Sequence, residues 1–152
     1  MAAEQEFLSE IERSVQSASW DDALGRILTK FSADSGTIHT LGDDGVLHLM
    51  AACAGIPPVV LDTIKNVPVG KGMAGLAVAR RQPVDACNIQ TDATGDVRPG
   101  ARATGLQGSI VVPMLRGDVA VGALGVANRQ ERTFTDAETA LLVEVGKVLA
   151  KV

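Results

Sequence analysis

The strongest constraint on this chain lies in its last third, where two strand-forming runs meet at a tight turn and lead into a capped helix. Ser109 to Leu115 and Val119 to Asn128 are rich in Val, Ile, Leu and Ala and surround Arg116-Gly117-Asp118. Two such runs around a short turn containing glycine predict an antiparallel hairpin. Pro113 has no amide hydrogen to give a ladder, so it belongs at a bulge or on an unpaired side of its strand. Phe134-Thr135-Asp136-Ala137-Glu138 follows. Thr135 and Glu138 have the spacing of a capping box, in which each side chain satisfies a backbone amide that the first turn leaves free. Beyond it, Leu141, Leu142, Val145, Val148, Leu149 and Val152 form one apolar stripe.

The first third predicts the same parts in the opposite order. Phe7, Ile11, Val15 and Ala18 recur at helical spacing, and Trp20, Ala23, Leu24, Ile27, Leu28 and Phe31 form a second buried stripe. Ser19 is the expected N-cap of that second helix, with Asp21 and Asp22 suiting its dipole, and Asp34-Ser35-Gly36 ends it. Thr37 to Leu41 and Val46 to Cys53 flank Gly42-Asp43-Asp44-Gly45, a second hairpin. Pro57-Pro58 opens a short helix with Val59, Val60 and Ile64 as its apolar side. Val67-Pro68-Val69 leads through Gly70-Lys71-Gly72-Met73-Ala74-Gly75 into a helix that runs to Arg80 and ends at Gln82-Pro83, before a short strand at Val84 to Cys87. Residues 88–107 lack apolar periodicity, and a loop of that length in a compact domain is functional or mobile. Helices at both ends with hairpins between them predict an α+β domain around an antiparallel sheet.

Composition narrows the function. The 152 residues suit one domain, and 46% hydrophobic with 21% charged residues is a globular balance. Phe7, Trp20, Phe31 and Phe134 are the only aromatics, so the core must be aliphatic. Modules that stack nucleic-acid bases need exposed aromatics beside basic residues, and a net charge of −4 repels phosphate, so no nucleic-acid partner is expected. No apolar run approaches the ~18 residues that cross a bilayer. The start of the chain carries Glu4, Glu6, Glu10 and Glu12, unlike a secretory signal, so a cytoplasmic location is expected and no membrane partner. Cys53 and Cys87 have no metal-like spacing and are expected to be free thiols. His39 and His48, on opposite arms of the first hairpin, have the chemistry to ligate haem or a metal, but no cluster of Cys, Asp or Glu accompanies them.

The order of elements and the local motifs resemble the GAF family. The resemblance is carried by Gly108-Ser109-Ile110-Val111-Val112-Pro113-Met114, by Val121-Gly122-Ala123-Leu124-Gly125-Val126-Ala127-Asn128, by Phe134-Thr135-Asp136 and by the Gly-rich stretch from Val69 to Ala79. It divides the chain into an N-terminal helix, residues 1–18, and a GAF domain, residues 19–152. It implies a central antiparallel sheet with the terminal helices on one face and, on the other, a ligand pocket roofed by the Gly-rich helix and variable loops. Members of the family bind cyclic nucleotides, amino acids, 2-oxoacids, nitrate, tetrapyrroles or haem, so the fold names neither the ligand nor a cofactor.

Within that frame the chain reads as a sensory module that binds a small molecule, signals through its terminal helices and pairs through them as a homodimer. The candidate ligand-binding residues are Met73, Cys87, Asp92, Arg98, Arg102, Thr104 and Ser109. Arg98 and Arg102 present planar donor forks suited to an anionic ligand, Asp92 and Thr104 can orient an amine or hydroxyl, and Ser109 opens the strand beneath. Two other readings are weighed against this one. GAF-type enzymes that reduce free methionine sulfoxide use cysteines, but Met73 stands where one is expected after the Gly-rich turn, and residues 88–108 contain none, leaving Cys87 alone. A ligand-free dimerisation module is the other. Asn128-Arg129 with Phe134, Asp136 and Glu138 resembles the signature of the cyclic-nucleotide-binding GAF domains of phosphodiesterases, but its residues have structural roles available, with Arg129 and Asp136 as a surface pair. The Gly70, Gly72, Gly75 pattern lacks the long buried strand of a dinucleotide site and reads as a tight helix entry.

Overall fold

Both predicted hairpins form, and their inner strands pair with each other. β1 (Ser35–Leu41) and β2 (Val46–Ala52) make the first, β5 (Ser109–Arg116) and β6 (Val119–Ala127) the second, and β1 lies antiparallel to β6. Short strands β3 (Asn66–Pro68) and β4 (Val84–Ala86) close the edges, giving the order β3-β2-β1-β6-β5-β4. The structure is a computed structural model that describes residues 2–17, 19–53, 56–91 and 105–151. Each pairing in the sheet is antiparallel, which rules out the parallel βαβ unit of a dinucleotide fold. Pro113 lies opposite Ala123 of β6, beyond the last residue of β5 that β4 reaches, and next to the register shift after Met114. Its missing amide hydrogen therefore costs the sheet no ladder bond on the β4 side.

Side-chain alternation gives the sheet two different faces. One packs against α1 (Ala2–Gln16), α2 (Trp20–Phe31) and α5 (Asp136–Leu149). Ile38, Val112, Leu124 and Val126 from the strands meet Ile11, Leu24, Ile27, Leu142 and Leu149 from the helices, each at most 2% exposed. Full burial of such side chains contributes about 1.5–3 kcal/mol apiece, so most of the stability resides here. Phe7, Ile11 and Val15 of α1 belong to this same core, so α1 is packed as part of the domain. The large apolar side chains left exposed among the described residues are Met50, Val59, Val69 and Val119, none of them on the terminal helices.

The capping residues act as the sequence predicts. Ser19 accepts from the Asp22 amide at 3.3 Å, and Thr135 and Glu138 form the reciprocal box at 3.0 and 2.9 Å. Arg116 donates to the Ala150 carbonyl at 2.9 and 2.6 Å, placing a cation at the C-terminal end of α5 and tying that end to the second hairpin. Two expectations are corrected. Arg129 does not join Asp136: its backbone amide donates to Asp34 at 2.8 Å, and it is Arg132 that pairs with the acids of this segment, reaching Glu138 at 2.6 Å. Val59 is exposed, because α3 (Pro58–Ile64) is a short surface helix that turns Val60 inward and leaves Ile64 half-buried.

On the opposite face, α4 (Gly72–Arg80) lays Met73, Ala77 and Val78 over Leu47, Val111 and Ala123. Its entry needs glycine twice. Gly72 has φ of 64°, and a Cβ on Gly75 would stand 2.4 Å from the Pro68 carbonyl oxygen.

Candidate functional site

The second core does not fill its face of the sheet. In β1, Ile38 points to the terminal helices while Ser35, Thr37 and His39 line the other side; in β5, Ser109 and Val111 do so, and in β6, Gly125 and Ala127. Apart from Val111, these residues are small or polar at the centre of a sheet, where branched aliphatics would otherwise pack. Over them lies a cavity of about 180 Å³. Among the described residues its remaining walls come from Val60, Thr63 and Ile64 of α3, from the entry to α4 at Lys71 to Ala74, and from Ile56, Val67, Ile89 and Leu106. An apolar cavity of roughly 150 Å³ holds a benzene-sized molecule, which sets the scale.

The polar groups on this wall differ in how far the protein satisfies them. Ser35 Oγ is 3.1 Å from the Cys53 thiol. The Ser109 hydroxyl donates to the Val126 carbonyl across a long 3.4 Å, and Thr63 donates to the Val59 carbonyl at 3.0 Å. His39 is different: it is only 3% exposed, its Nε2 lies 2.8 Å from the Ile64 carbonyl oxygen, and its Nδ1 has no hydrogen-bond partner among the described residues. A carbonyl can only accept, so Nε2 carries the hydrogen. Burial pushes the His39 pKa below its ordinary value, the bond to Ile64 opposing this in part, so the ring is neutral at pH 7 and Nδ1 presents a lone pair. Lys71, exposed at the start of α4, is the one cationic side chain among the described lining residues, and no Asp or Glu is among them.

Of the residues singled out from sequence, Met73 and Ser109 are in the cavity wall. Cys87 is exposed just past β4, with its sulfur 3.9 Å from a Glu131 carboxylate oxygen, and is not among the described lining residues. Asp92, Arg98, Arg102 and Thr104 lie outside the described residues. The two histidines diverge: His39 faces the cavity, whereas His48 is bonded to Asp44 at 3.0 Å and Asn66 at 2.8 Å on the hairpin surface. Sequence reasoning missed His39, Thr37 and Ser35 as wall residues. The available signal was their spacing, since Ser35-x-Thr37-x-His39 puts three polar groups on the face opposite Gly36 and Ile38.

A six-stranded antiparallel sheet with the terminal helices behind it, and a cavity between its other face and a Gly-rich helix, defines an α+β domain of the GAF architecture. Residues 19–152 match the GAF domain family, and the chain belongs to it. Similar solved structures include the GAF domain of an Acinetobacter phosphoenolpyruvate-protein phosphotransferase, with 21% identity, a TM-score of 0.79, and coverage of 99% of this chain and 92% of that one. The free methionine-R-sulfoxide reductase of Neisseria meningitidis, solved with its substrate, is 20% identical with a TM-score of 0.77, covering 99% and 87% of the two chains. A domain of a putative two-component sensor histidine kinase from Sinorhizobium meliloti is 14% identical with a TM-score of 0.67, covering 84% and 83%. At these identities the likeness concerns the fold, which signalling domains and reductases share. No functionally curated protein matches the chain. No described helix is long and apolar enough to cross a membrane.

Proposed function

We propose that this chain is a sensory or regulatory GAF domain that binds a small molecule in the cavity over β1, β5 and β6 and signals through its terminal helices. The observation that carries this reading is the cavity itself, kept open at the middle of the sheet by Gly125 and Ala127 and lined by a few convergent polar groups. Such a mostly apolar pocket is what a small-molecule site requires. The strands that floor it bear α1, α2 and α5 on their other face, so a ligand that binds one arrangement of the floor better than another shifts the packing of those helices. Homodimerisation through the terminal helices, as GAF domains resemble one another in doing, supplies a route to an output in the cytoplasm. Phe7, Ile11, Val15, Leu142, Val145 and Leu149 are taken up in the core, which leaves such pairing the remaining surface of α1 and α5, including the half-buried Leu8, Leu141 and Val143. Arg98 and Arg102 are proposed to hold an anionic group of the ligand, with Asp92 and Thr104 orienting it.

Reduction of free methionine sulfoxide is the enzymatic alternative, favoured by the shared fold with the Neisseria and Thermoplasma acidophilum reductases. Against it, neither Cys53 nor Cys87 is among the described lining residues. Native mass spectrometry of the freshly purified protein, followed by thermal-shift screening against cyclic nucleotides, amino acids, 2-oxoacids and simple anions, tests the binding reading. A bound mass or an upward shift supports it, since a ligand stabilises the state it binds. A bare dimer with no shift across the panel contradicts it and favours a ligand-free dimerisation module. Methionine sulfoxide turnover that disappears in Cys87→Ser would instead establish the enzyme.

A further inference from the structure

The binding reading says where a ligand sits; the floor of the cavity says what kind of ligand fits. We infer that the molecule bound here lodges a compact apolar body over Gly125 and turns one uncharged hydrogen-bonding group, a hydroxyl or a carbonyl, to the Thr37 hydroxyl, which selects for it. This rests on the cavity being the binding site.

The register of the sheet builds the niche. Gly125 of β6 pairs with Thr37 of β1 on one side and Val111 of β5 on the other, so the three form one row across the floor. Leu124 and Val126, the neighbours of Gly125 in its strand, belong to the helix-side core, so a side chain at position 125 would project to the cavity face. A Cβ there would stand 3.3 Å from a Val111 methyl and 3.5 Å from Thr37 Oγ1. Thr37 Oγ1 therefore borders the space above Gly125, with the Val111 methyl facing it across that space.

Four hydroxyls line the cavity among the described residues, and three of them are engaged. Ser35 lies against the Cys53 thiol, Thr63 donates to the Val59 carbonyl and Ser109 to the Val126 carbonyl. Thr37 Oγ1 has no hydrogen-bond partner among the described residues. It is not sealed off either, because the only side-chain polar atom among them that is both unpartnered and cut off from solvent is His39 Nδ1. The Thr37 hydroxyl thus keeps surface that a ligand can touch. Valine has the shape of threonine without the hydroxyl, and the wall carries it at Val60, Val67 and Val111. A hydroxyl held without a protein partner, where valine would pack as well, is a group left for a ligand to satisfy.

The surroundings fix the class. The only charged side chain among the described lining residues, Lys71, is exposed at the start of α4. A charge brought down to this row would lose its hydration and meet only a neutral hydroxyl and an apolar methyl, so the group facing Thr37 is uncharged. A threonine hydroxyl both gives and accepts, so a ligand hydroxyl or carbonyl serves equally. With about 180 Å³ available, the body is of single-ring size.

The test uses phenol and toluene, which match in size and differ by a group able to give and accept a hydrogen bond, with the intact chain labelled at its methionine methyls. Each probe is titrated against the wild type, Thr37→Val, Thr37→Ser and Gly125→Ala, following the Met73 methyl, which lines the cavity. Phenol is better hydrated than toluene, so the quantity read is the ratio of the two dissociation constants and its change between variants. Thr37→Val should move that ratio toward toluene by roughly two- to tenfold, the worth of one hydrogen bond. Thr37→Ser keeps the hydroxyl and should leave the ratio near that of the wild type. Gly125→Ala puts a methyl into the niche and should weaken both probes. An unchanged ratio in Thr37→Val, or undiminished binding of both probes to Gly125→Ala, overturns the inference while a shifting Met73 leaves the pocket reading intact. If neither probe moves Met73 up to its solubility limit, the pocket reading falls and this inference with it.

Discussion

The two faces of one sheet have been given opposite tasks. Toward the terminal helices, β1, β5 and β6 present Ile38, Ile110, Val112, Leu124 and Val126. Toward α3 and α4 the same three strands present Ser35, Thr37, His39, Ser109, Gly125 and Ala127. Because the alternation has period two, each strand contributes to both faces, and a change in one residue reads out on one face alone. Stability is concentrated behind the sheet, so the face in front can keep a cavity and an unsatisfied acceptor.

The largest effect that would break this division lies in the helix-side core. Leu124→Ala, at a site 1% exposed, is expected to lose about 2–5 kcal/mol in urea unfolding. Thr37→Val, on the cavity face of the neighbouring strand, should change stability by under about 1 kcal/mol. Similar losses at both sites would show that the faces share the load. A paired glycine test sharpens the contrast. A Cβ at Gly36 would stand 2.8 Å from both the Gly125 carbonyl oxygen and a Leu28 methyl, whereas at Gly125 its nearest neighbour is a Val111 methyl at 3.3 Å. Gly36→Ala should therefore cost about 1–3 kcal/mol through overpacking. Gly125→Ala should cost much less, while weakening binding of any ligand that fills the cavity, as calorimetric titration would report.

Much of the helix-side face was legible from the sequence. The Trp20–Phe31 and Leu141–Leu149 stripes, the Ser19 cap, the Thr135/Glu138 box and the second hairpin are local patterns whose periodicity or spacing carries the physical cause. The cavity face was less legible because its roles arise between distant segments. His39 becomes an acceptor only because the Ile64 carbonyl, 25 residues away, claims its hydrogen. Arg129, paired with Asp136 on the sequence alone, instead gives its backbone amide to Asp34, nearly a hundred residues away, and Arg132 is the residue that reaches Glu138. β3 is three residues long and pairs with β2 across α3, so no run of its own announced it.

Two smaller effects concern protons. Thr135→Ala should destabilise by about 1 kcal/mol at neutral pH. Glu138, held below its ordinary pKa of 4.5 first by the Thr135 amide and also by Arg132, contributes stability that is complete above that value and lost as pH falls through the lower folded pKa. An acid titration of the wild type against Glu138→Ala should therefore converge below pH 4.5. His39 is also depressed, by burial, so its contribution is intact above its ordinary 6.5 and is lost as pH falls from there toward the folded value. Thermal unfolding of His39→Gln should lack that slope; an unchanged slope would place its origin elsewhere.

The methionine methyls give the most direct test of the central claim that the cavity in front of the sheet is where a small molecule binds. Met73 lines it, Met114 is buried among the helices behind the sheet, and Met50 projects from the bulge into solvent. A ¹³C-methyl methionine spectrum should be recorded with each ligand that raises the melting temperature. The account predicts a shift of Met73 well beyond that of Met50, with Met114 responding only as far as the packing behind the sheet adjusts. A stabilising ligand that leaves Met73 in place and moves Met50 or Met114 would contradict it.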